Sequence, residues 1–382
     1  MTTGVLLPAW KRYTARFIQP EALKFLHNGT RAGFEKYIQS FGEILKNRHV
    51  LGNIDGYLSE NGERSEPSYD LSTIDLAGGS VPSPKLLGLM KLDTAGRGKF
   101  HAMDEAFLQI DRTFGRGFYL HLKDTPAEPV VECIAATEED GLLVHHDLII
   151  LEPDTHSTIV RIVDGAREGM VSDNVEIYAG RGSSADCITL NRSRKDTRYT
   201  AVHRAQVAEG ARVNWYNVDL YDGNTAMSVR STLAGNGAES RMVGVLIGKG
   251  DSQKDVSYET FHAAPDTVTS VLVRAAVLDT AKVVYRALTH IASGSRRAKV
   301  EQAEKSILLG EHARFDGIPS LWIDEDDVAA SHSASSGMVD EQALFYLKSR
   351  GIPHHQAEKL ITDGFIASLL NRTPLDLLQG LY

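Results

Sequence analysis

Apolar positions change their period twice along this chain. Between residues 20 and 48, Ala22, Leu23, Leu26, Phe34, Tyr37, Ile38 and Phe41 recur at three- and four-residue spacing, the mark of an amphipathic helix. Asn28-Gly29-Thr30 interrupts that pattern. Two helices are therefore predicted, with Pro20 in the first turn of one and Thr30 as the N-cap of the other. From Gly52 to Gly98 the pattern fades into Gly, Ser, Pro and Asp, and a long connection is predicted. From about Ala106 the period shifts towards two. Thr158, Val160 and Ile162 alternate with Ile159, Arg161 and Val163, and Val175 and Ile177 alternate with Asn174, Glu176 and Tyr178. Tyr216, Val218 and Leu220 alternate with Asn217 and Asp219 in the same way. These read as short strands. The stretch TSVLVRAAVLDTAKVVYRAL joins them, because its β-branched residues favour strand over helix.

The turns between the strands carry a second, longer period. One series falls at Asp154, Gly182, Gly210, Gly237, Pro265-Asp266 and Gly294. Another interleaves with it at Gly165, Asp196, Asp222-Gly223, Gly250-Asp251, Asp279 and Gly310. Steps within each series are mostly near 28 residues, and a fixed period of this size signals stacked repeats. Two strands and two turns per circuit describe a β-solenoid, with a parallel β-helix as its simplest form. An antiparallel sandwich also spaces its strands evenly. The regularity of both series favours the solenoid.

The chain changes character again between Leu321 and Gly351. β-rich sequence runs to Ala330, and the small-residue segment Ser331 to Gly337 holds one histidine, His332. This segment reads as a loop at the seam between two architectures, a place where binding residues gather. Asp340 then caps a helix with Leu344, Tyr346 and Leu347 as core and Gly351 at its C-terminus. Pro353 opens a second helix with an apolar stripe of Ala357, Leu360, Ile361, Phe365 and Leu369. Thr373-Pro374 starts a third short helix ending near Tyr382. The expected division is an N-terminal helical region and linker over 1–98, a β-helix core over 99–330 and a helical domain over 331–382. The helical end either caps the solenoid or offers a surface to a partner. Phe345, Tyr346, Phe365, Ile366, Leu369 and Leu370 exceed what one buried stripe needs, so they are the candidate partner contacts.

Composition narrows the function. The 382 residues are 42% hydrophobic and 24% charged, ordinary for a globular chain. A net charge of −9 argues against non-specific nucleic-acid binding. Cys133 and Cys187 are the two cysteines; they match no metal-ligand spacing and suggest a reducing, cytoplasmic compartment. The first residues lack the charged start and apolar run of a secretory signal, and no stretch is long and apolar enough to span a membrane. There is no Walker A sequence, G-x-S-x-G, H-E-x-x-H or C-x-x-C. Gly115 to Leu120, GRGFYL, is half a glycine-rich phosphate loop without the helix that would follow it. His145-His146 occupies adjacent strand positions, so the two rings point to opposite faces and share no metal. Glu325-Asp326-Asp327 reads as a solvated turn more readily than a cation site. Asp104 and Glu105 form an acid pair with nothing beside it. Cys187, within SADCITLN, reads as a small buried hydrophobe.

The segment DDVAASHSASSGMVDEQALFYLKSRGI resembles the C-terminal signature of the SufB/SufD scaffold proteins of the SUF iron–sulfur cluster assembly system. The matching positions are Asp326-Asp327, Ser331-His332, Gly337, Asp340-Glu341, Leu344-Phe345-Tyr346-Leu347, Arg350-Gly351-Ile352, Ala357 and Phe365. FHAMDEAF, Phe100 to Phe107, resembles that family's entry into its core domain. DLIILEPDTHSTIV, Asp147 to Val160, resembles its first full β circuit. The resemblance spans roughly residues 99 to 372. It implies a right-handed parallel β-helix between two helical parts, pairing with a second SufB/SufD-type subunit and docking of a SufC-type ABC ATPase on the C-terminal helices. It also implies a nascent iron–sulfur cluster formed transiently at the junction of the paired subunits. A flavin on the assembled complex is a further cofactor it allows.

Two features favour a SufD-type member. Where SufB-type subunits carry a cysteine in a Gly-Asp/Glu-x-Cys context, this chain has Gly310-Glu311-His312-Ala313. Where they carry a glutamate after the junction histidine, it has Ser333. What remains is His332, the residue SufD-type subunits are thought to bring to the interface. Ala330 stands where that pattern usually has a cysteine. The expected role is a scaffold, not an enzyme, with His332 as the candidate metal and cluster ligand. Two other readings stay open: a SufB-like homodimeric scaffold, and a carbohydrate-active β-helix enzyme with carboxylates along one face.

Overall fold

The computed structural model describes residues 24–25, 29–41, 50–54, 57–61, 69–75, 116–165, 168–370 and 374. The readings placed on Phe100–Phe107, on Asp104 and Glu105, and on a helix after Pro374 lie outside those residues.

The described chain winds into a parallel β-solenoid of two ten-stranded sheets. From Arg116–Leu122 onward successive strands alternate between the sheets, and each pairs in parallel with the one a full circuit later. Ser184 pairs with Arg212, Arg212 with Glu239, and Glu239 with Val268. The near-constant step seen in the turns is thus the length of one circuit. Trp215 stacks between Cys187 and Met242 inside it, and its indole N–H donates to Ser231 Oγ at 3.0 Å.

The turn residues explain the period. Asp154, Gly182, Gly210, Gly237, Asp266 and Gly294 all take positive φ, as do Asp196, Gly250 and Asp279. Gly visits this region without steric cost, and Asp tolerates it better than most residues. The N–H of Asp154 donates to the Arg181 carbonyl, Gly182 to Glu209, Gly210 to Asn236 and Gly237 to Pro265. Each turn is therefore hydrogen-bonded to the next, and the corner runs down the whole stack.

At the N-terminal end the structure corrects two expectations. Lys24–Phe25 is a short strand paired with Gly141–Leu151, where the periodicity suggested helix. The stretch from Gly52 to Gly98 is not only a connection. Val50–Ile54 and Tyr57–Asn61 extend one sheet, and Tyr69–Asp75 extends the other, with an antiparallel pair at the N-terminal edge of each. Helix Arg31–Gln39 does form, and Thr30 Oγ1 accepts from the Gly33 N–H at 3.1 Å, as an N-cap should. Of the GRGFYL run, Gly115 lies outside the described residues. Arg116–Leu122 is a strand, and Gly117 is needed because a Cβ there would lie 1.9 Å from the His146 carbonyl oxygen.

Two apolar clusters hold the fold together. One fills the lumen, with Ile159, Val163, Cys187, Trp215, Met242 and Tyr258 among its members. The other lies on the outer face of one sheet, where Val160, Ile162, Ile188 and Val245 meet Phe34 and Phe41 at one end and Ile366 and Leu369 at the other. Both helical segments thus cover the same outer face. Helix His354–Leu370 lies along the side of the solenoid and does not cap its end, because its apolar residues meet a sheet face rather than a strand edge.

The segment read as a loop at the seam is also strand. Val328–Met338 pairs in parallel with Ala298–Leu309 through Ser331–Gly337, so sheet continues past Ala330. Helix Glu341–Ser349 follows, with Asp340 accepting from Gln342 N and Ala343 N. It ends as Gly351, φ 83°, donates to Lys348 O and Ile352 donates to Leu347 O, a Schellman closure.

Gly210 tests the turn argument, because nothing lies within 4 Å of where its Cβ would be. Gly210→Val should cost about 1–2 kcal/mol from the left-handed backbone alone, and Gly210→Asn should recover most of it. Urea midpoints of the two variants measure the difference.

Candidate functional site

His332 sits on Val328–Met338, the outermost strand of its sheet. Its register partner is Gln302. In parallel strands aligned residues face the same side, so the facing is read from Ala298–Leu309. There Ala298, Val300, Gln302, Glu304 and Ser306 are buried while Lys299, Glu301 and Lys305 are exposed. Val300 packs with Ile291 of the opposite sheet, with Val328 and Ala330 against them. Gln302 Nε2 donates to Thr289 Oγ1 across the lumen at 2.8 Å. His332 therefore faces the lumen side at its last row. It is exposed, because no further circuit covers it, and its ring forms no hydrogen bond or ion pair among the described residues. A free imidazole at an open edge is available to a metal.

The opposite wall of the mouth is Arg314–Ile323, which pairs with Lys282–Ile291 and has no strand beyond it among the described residues. Ile318, Trp322 and Ile323 are exposed on it, as is Met338 on the other edge. Trp322 stacks on His290 with centroids 4.6 Å apart, and His290 lies 5.0 Å from Phe261. His290 Nε2 and the Trp322 indole N–H both reach Asp324, at 2.9 and 3.0 Å. This ladder ends at the half-exposed indole of Trp322. Burial pushes the Glu304 carboxyl, also at the mouth, up to about 7. Glu325, Asp326 and Asp327 form an exposed turn, in which the Glu325 carboxylate accepts from the N–H groups of Gly294, Asp326 and Asp327. That is a solvated turn held by the backbone.

A second polar group lies deep in the solenoid. Arg161 is fully buried. It donates to Glu132 at 2.9 Å, to Asp147 at 2.9 Å and through two nitrogens to Asp173 at 2.7 Å. His145 Nε2 lies 3.0 Å from Glu132 and 2.9 Å from Asp147, and Asn53 Nδ2 lies 3.0 Å from its Nδ1. His203 Nε2 and the Tyr199 hydroxyl reach Asp173 at 2.9 and 2.8 Å. Burial opposes the charge on Asp173, yet Arg161 holds its carboxyl well below the usual range. Burial and the nearby Asp147 carboxylate push Glu132 up to about 7, against the pull of His145 and Arg161. Burial would lower His145, but Asp147 and Glu132 raise it to about 10. Glu132, His145 and Asp147 offer ligand atoms within 4.8 Å of one another. Arg161 already supplies these carboxylates with a cation. Sequence reading placed Arg161 on a strand and gave it no role; its signal was a charge at a lumen-facing position.

Both cysteines are buried, and burial raises the Cys187 thiol to about 12. Neither offers a thiolate to a surface site. The C-terminal candidates divide. Phe345 and Tyr346 are 73% and 56% exposed. Ile366 and Leu369 are buried against the sheet, and Phe365 and Leu370 pack partly against the same cluster. Arg274 fixes Phe365 further, donating to its carbonyl at 2.9 Å and lying over its ring. Ile366 and Leu369 therefore pack within the chain, and of the six candidates Phe345 and Tyr346 are the exposed ones. Leu360, placed in the buried stripe by spacing, is exposed instead.

The family model described as SUF system FeS cluster assembly, SufBD core domain, matches residues 133–365. The chain belongs to the SufB/SufD family. Among its relatives, the iron-sulfur cluster assembly protein SufD of Bacillus subtilis (strain 168) is 29% identical over 268 residues, 68% of this chain and 61% of the relative. An iron-sulfur cluster assembly SufBD family protein of Mycobacterium bovis is 25% identical over 251 residues, 64% of this chain and 63% of the relative. One from Staphylococcus saprophyticus is 27% identical over 203 residues, 53% of this chain and 43% of the relative. The chain thus spans less than two thirds of the length of these curated relatives. The matched span of this SufBD-family chain includes Arg161 with Asp147 and Asp173, the mouth residues and His332. No helix among the described residues is long and apolar enough to cross a membrane.

The buried charges give this SufBD-family core a pH signature. A carboxyl raised on folding from 4.5 to about 7 contributes stability below the lower value and loses it as pH rises towards the upper one. Glu132→Gln removes that titration and keeps an acceptor for Arg161. Urea midpoints between pH 4.5 and 7 should therefore fall less steeply with rising pH in the variant than in the wild type.

Proposed function

We propose that this chain is a SufD-type scaffold subunit of a cytoplasmic SUF assembly complex. It pairs through the open end of its solenoid with a SufB-type subunit, and it docks a SufC-type ABC ATPase on its C-terminal helices. The observation that carries this reading is the uncapped last circuit. A solenoid end exposes unpaired backbone groups that invite another chain, and here no described residue pairs with the outer edge of either last strand, while helix His354–Leu370 lies along the side. Partner strands laid on these edges would continue both sheets and enclose His332. Exposed Ile318, Trp322 and Ile323 supply apolar area for the contact.

The nascent cluster is the cargo of such a junction. His332 offers a nitrogen donor, which suits iron. With Cys133 and Cys187 buried, the thiolates that a cluster needs come from the partner. The chain acts as scaffold, and the ATP chemistry belongs to the docked subunit. Helix Glu341–Ser349 begins just beyond the strand that bears His332, so motion of a docked ATPase dimer passes to the junction through little intervening chain.

Reconstitution with SufB- and SufC-type partners tests the ligand role. His332→Ala should leave the complex assembled and lose most of the cluster formed, followed by its visible absorption. Unchanged yield would remove His332 from the site. Absence of any complex with a SufB-type chain, together with self-association of this one, would favour the homodimeric reading.

The docking surface has its own test. Phe345→Asp or Tyr346→Asp should keep a near-normal melting temperature, since both side chains are exposed. Loss of a central aromatic contact costs about 2 kcal/mol or more, roughly thirtyfold in affinity. Pull-down of the SufC-type subunit measures that loss, and wild-type retention would place the docking surface elsewhere.

A further inference from the structure

Strand Ala298–Leu309 carries polar side chains where its alternation calls for apolar ones. Its lumen-facing row begins with Ala298 and Val300, which close a small apolar cluster with Ile291. The next three residues, Gln302, Glu304 and Ser306, are only 3%, 5% and 4% exposed. Buried polar atoms almost always find partners, and those that do not call for a specific explanation. Gln302 commits its Nε2 to Thr289, which leaves Oε1 without a partner. Glu304 Oε2 and Ser306 Oγ have none either among the described residues. All three oxygens lie on one side of one strand, beside the mouth of the lumen.

The neighbouring elements leave space for something else. In the last row, His332 lies beside Gln302, Ala334 beside Glu304 and Ser336 beside Ser306. Only small side chains therefore overlie the carboxylate. Across the lumen, a Cβ on Gly317 would fall 1.8 Å from Glu304 Oε1 and 2.8 Å from its Cδ. This glycine makes room for the carboxylate. Arg286 and Arg314 line the same opening, but Arg286 pairs with Asp255 and Arg314 with Asp316.

A carboxylate, an amide oxygen and an imidazole suit a borderline divalent first-row ion, iron(II) among them. We propose that Glu304 and His332, with Gln302 Oε1, form a divalent-metal site at the open end of the solenoid, and that Gly317 positions the Glu304 carboxylate. The proposal rests on reading this end as the assembly site. It goes beyond that reading by assigning a second ionic ligand from this chain and a metal-loading step that precedes the cluster.

Cobalt(II) is the probe, titrated anaerobically into the purified full chain and followed by its visible bands. The wild type should bind one ion per chain. Glu304→Gln and His332→Ala should each weaken binding about tenfold or more. Glu304→Gln should also melt at or above the wild-type temperature, because it removes a buried, unpartnered carboxylate. A Glu304 that served only to hold the fold would lower it. Gly317→Ala keeps every ligand but displaces the carboxylate, and it should weaken binding too. If Glu304→Gln destabilises the chain, Gly317→Ala decides the matter: weakened binding with normal melting supports the site, and wild-type binding overturns it. Wild-type cobalt affinity in Glu304→Gln, or no binding by the wild type, also overturns it. The role of His332 in cluster formation is judged separately, by the yield of the reconstituted complex.

Discussion

Every circuit of this molecule is completed by the next one. A parallel strand satisfies its backbone only through neighbours on both sides, and here those neighbours lie one circuit away in the sequence. Hydrogen bonds between successive turns repeat the arrangement at the corners. The stack therefore has no natural end. At the N-terminal side antiparallel strands close it. At the C-terminal side nothing among the described residues does, and exposed features gather there: two edge strands, a half-exposed Trp322 and a free His332.

The lumen shows two ways of burying polar groups. Deep inside, Arg161 draws Glu132, Asp147 and Asp173 around itself, and His145 and His203 complete the group. A buried charge of this kind is tolerated only when it is paired and hydrogen-bonded. Nearer the mouth, Gln302, Glu304 and Ser306 are buried with atoms left over. The first group is held by the Arg161 cation and ties together five strands drawn from both sheets. The second is incomplete within this chain, as expected where a surface meets a ligand or a partner.

The placement of the terminal helices follows from the same geometry. A helix seals best against the broad apolar face of a sheet, and helix His354–Leu370 seals one with Ala357, Ile366 and Leu369. Helix Arg31–Gln39 seals the same sheet at the other end through Phe34. With both helices on the side, neither covers the solenoid end, and Phe345 and Tyr346 project from the short helix between the last strand and the packed one. Exposed aromatic residues next to an open sheet edge are what a subunit working within a larger complex would present.

By itself the sequence determined the solenoid, its circuit length and its corners, because a left-handed turn needs Gly or Asp and such residues recur where φ is positive. It also determined the caps at Thr30, Asp340 and Gly351, which depend on neighbours a few residues away. His332 was legible as a candidate from its small neighbours and the family signature, but not its place on a strand. A run such as ASHSASSG lacks the apolar alternation that marks a strand, and only pairing with Ala298–Leu309 makes it one. The strand at Lys24–Phe25 was hidden by the helical spacing around it, and that at Tyr69–Asp75 by the Gly-, Ser- and Pro-rich sequence on either side. Tertiary structure alone decided which side of each strand faces the lumen. That choice gathered Arg161 with carboxylates 12 to 29 residues away and set Glu304 opposite Gly317. It also turned Ile366 inward and left Phe345 out, because helical spacing defines a stripe but not the surface the stripe will meet.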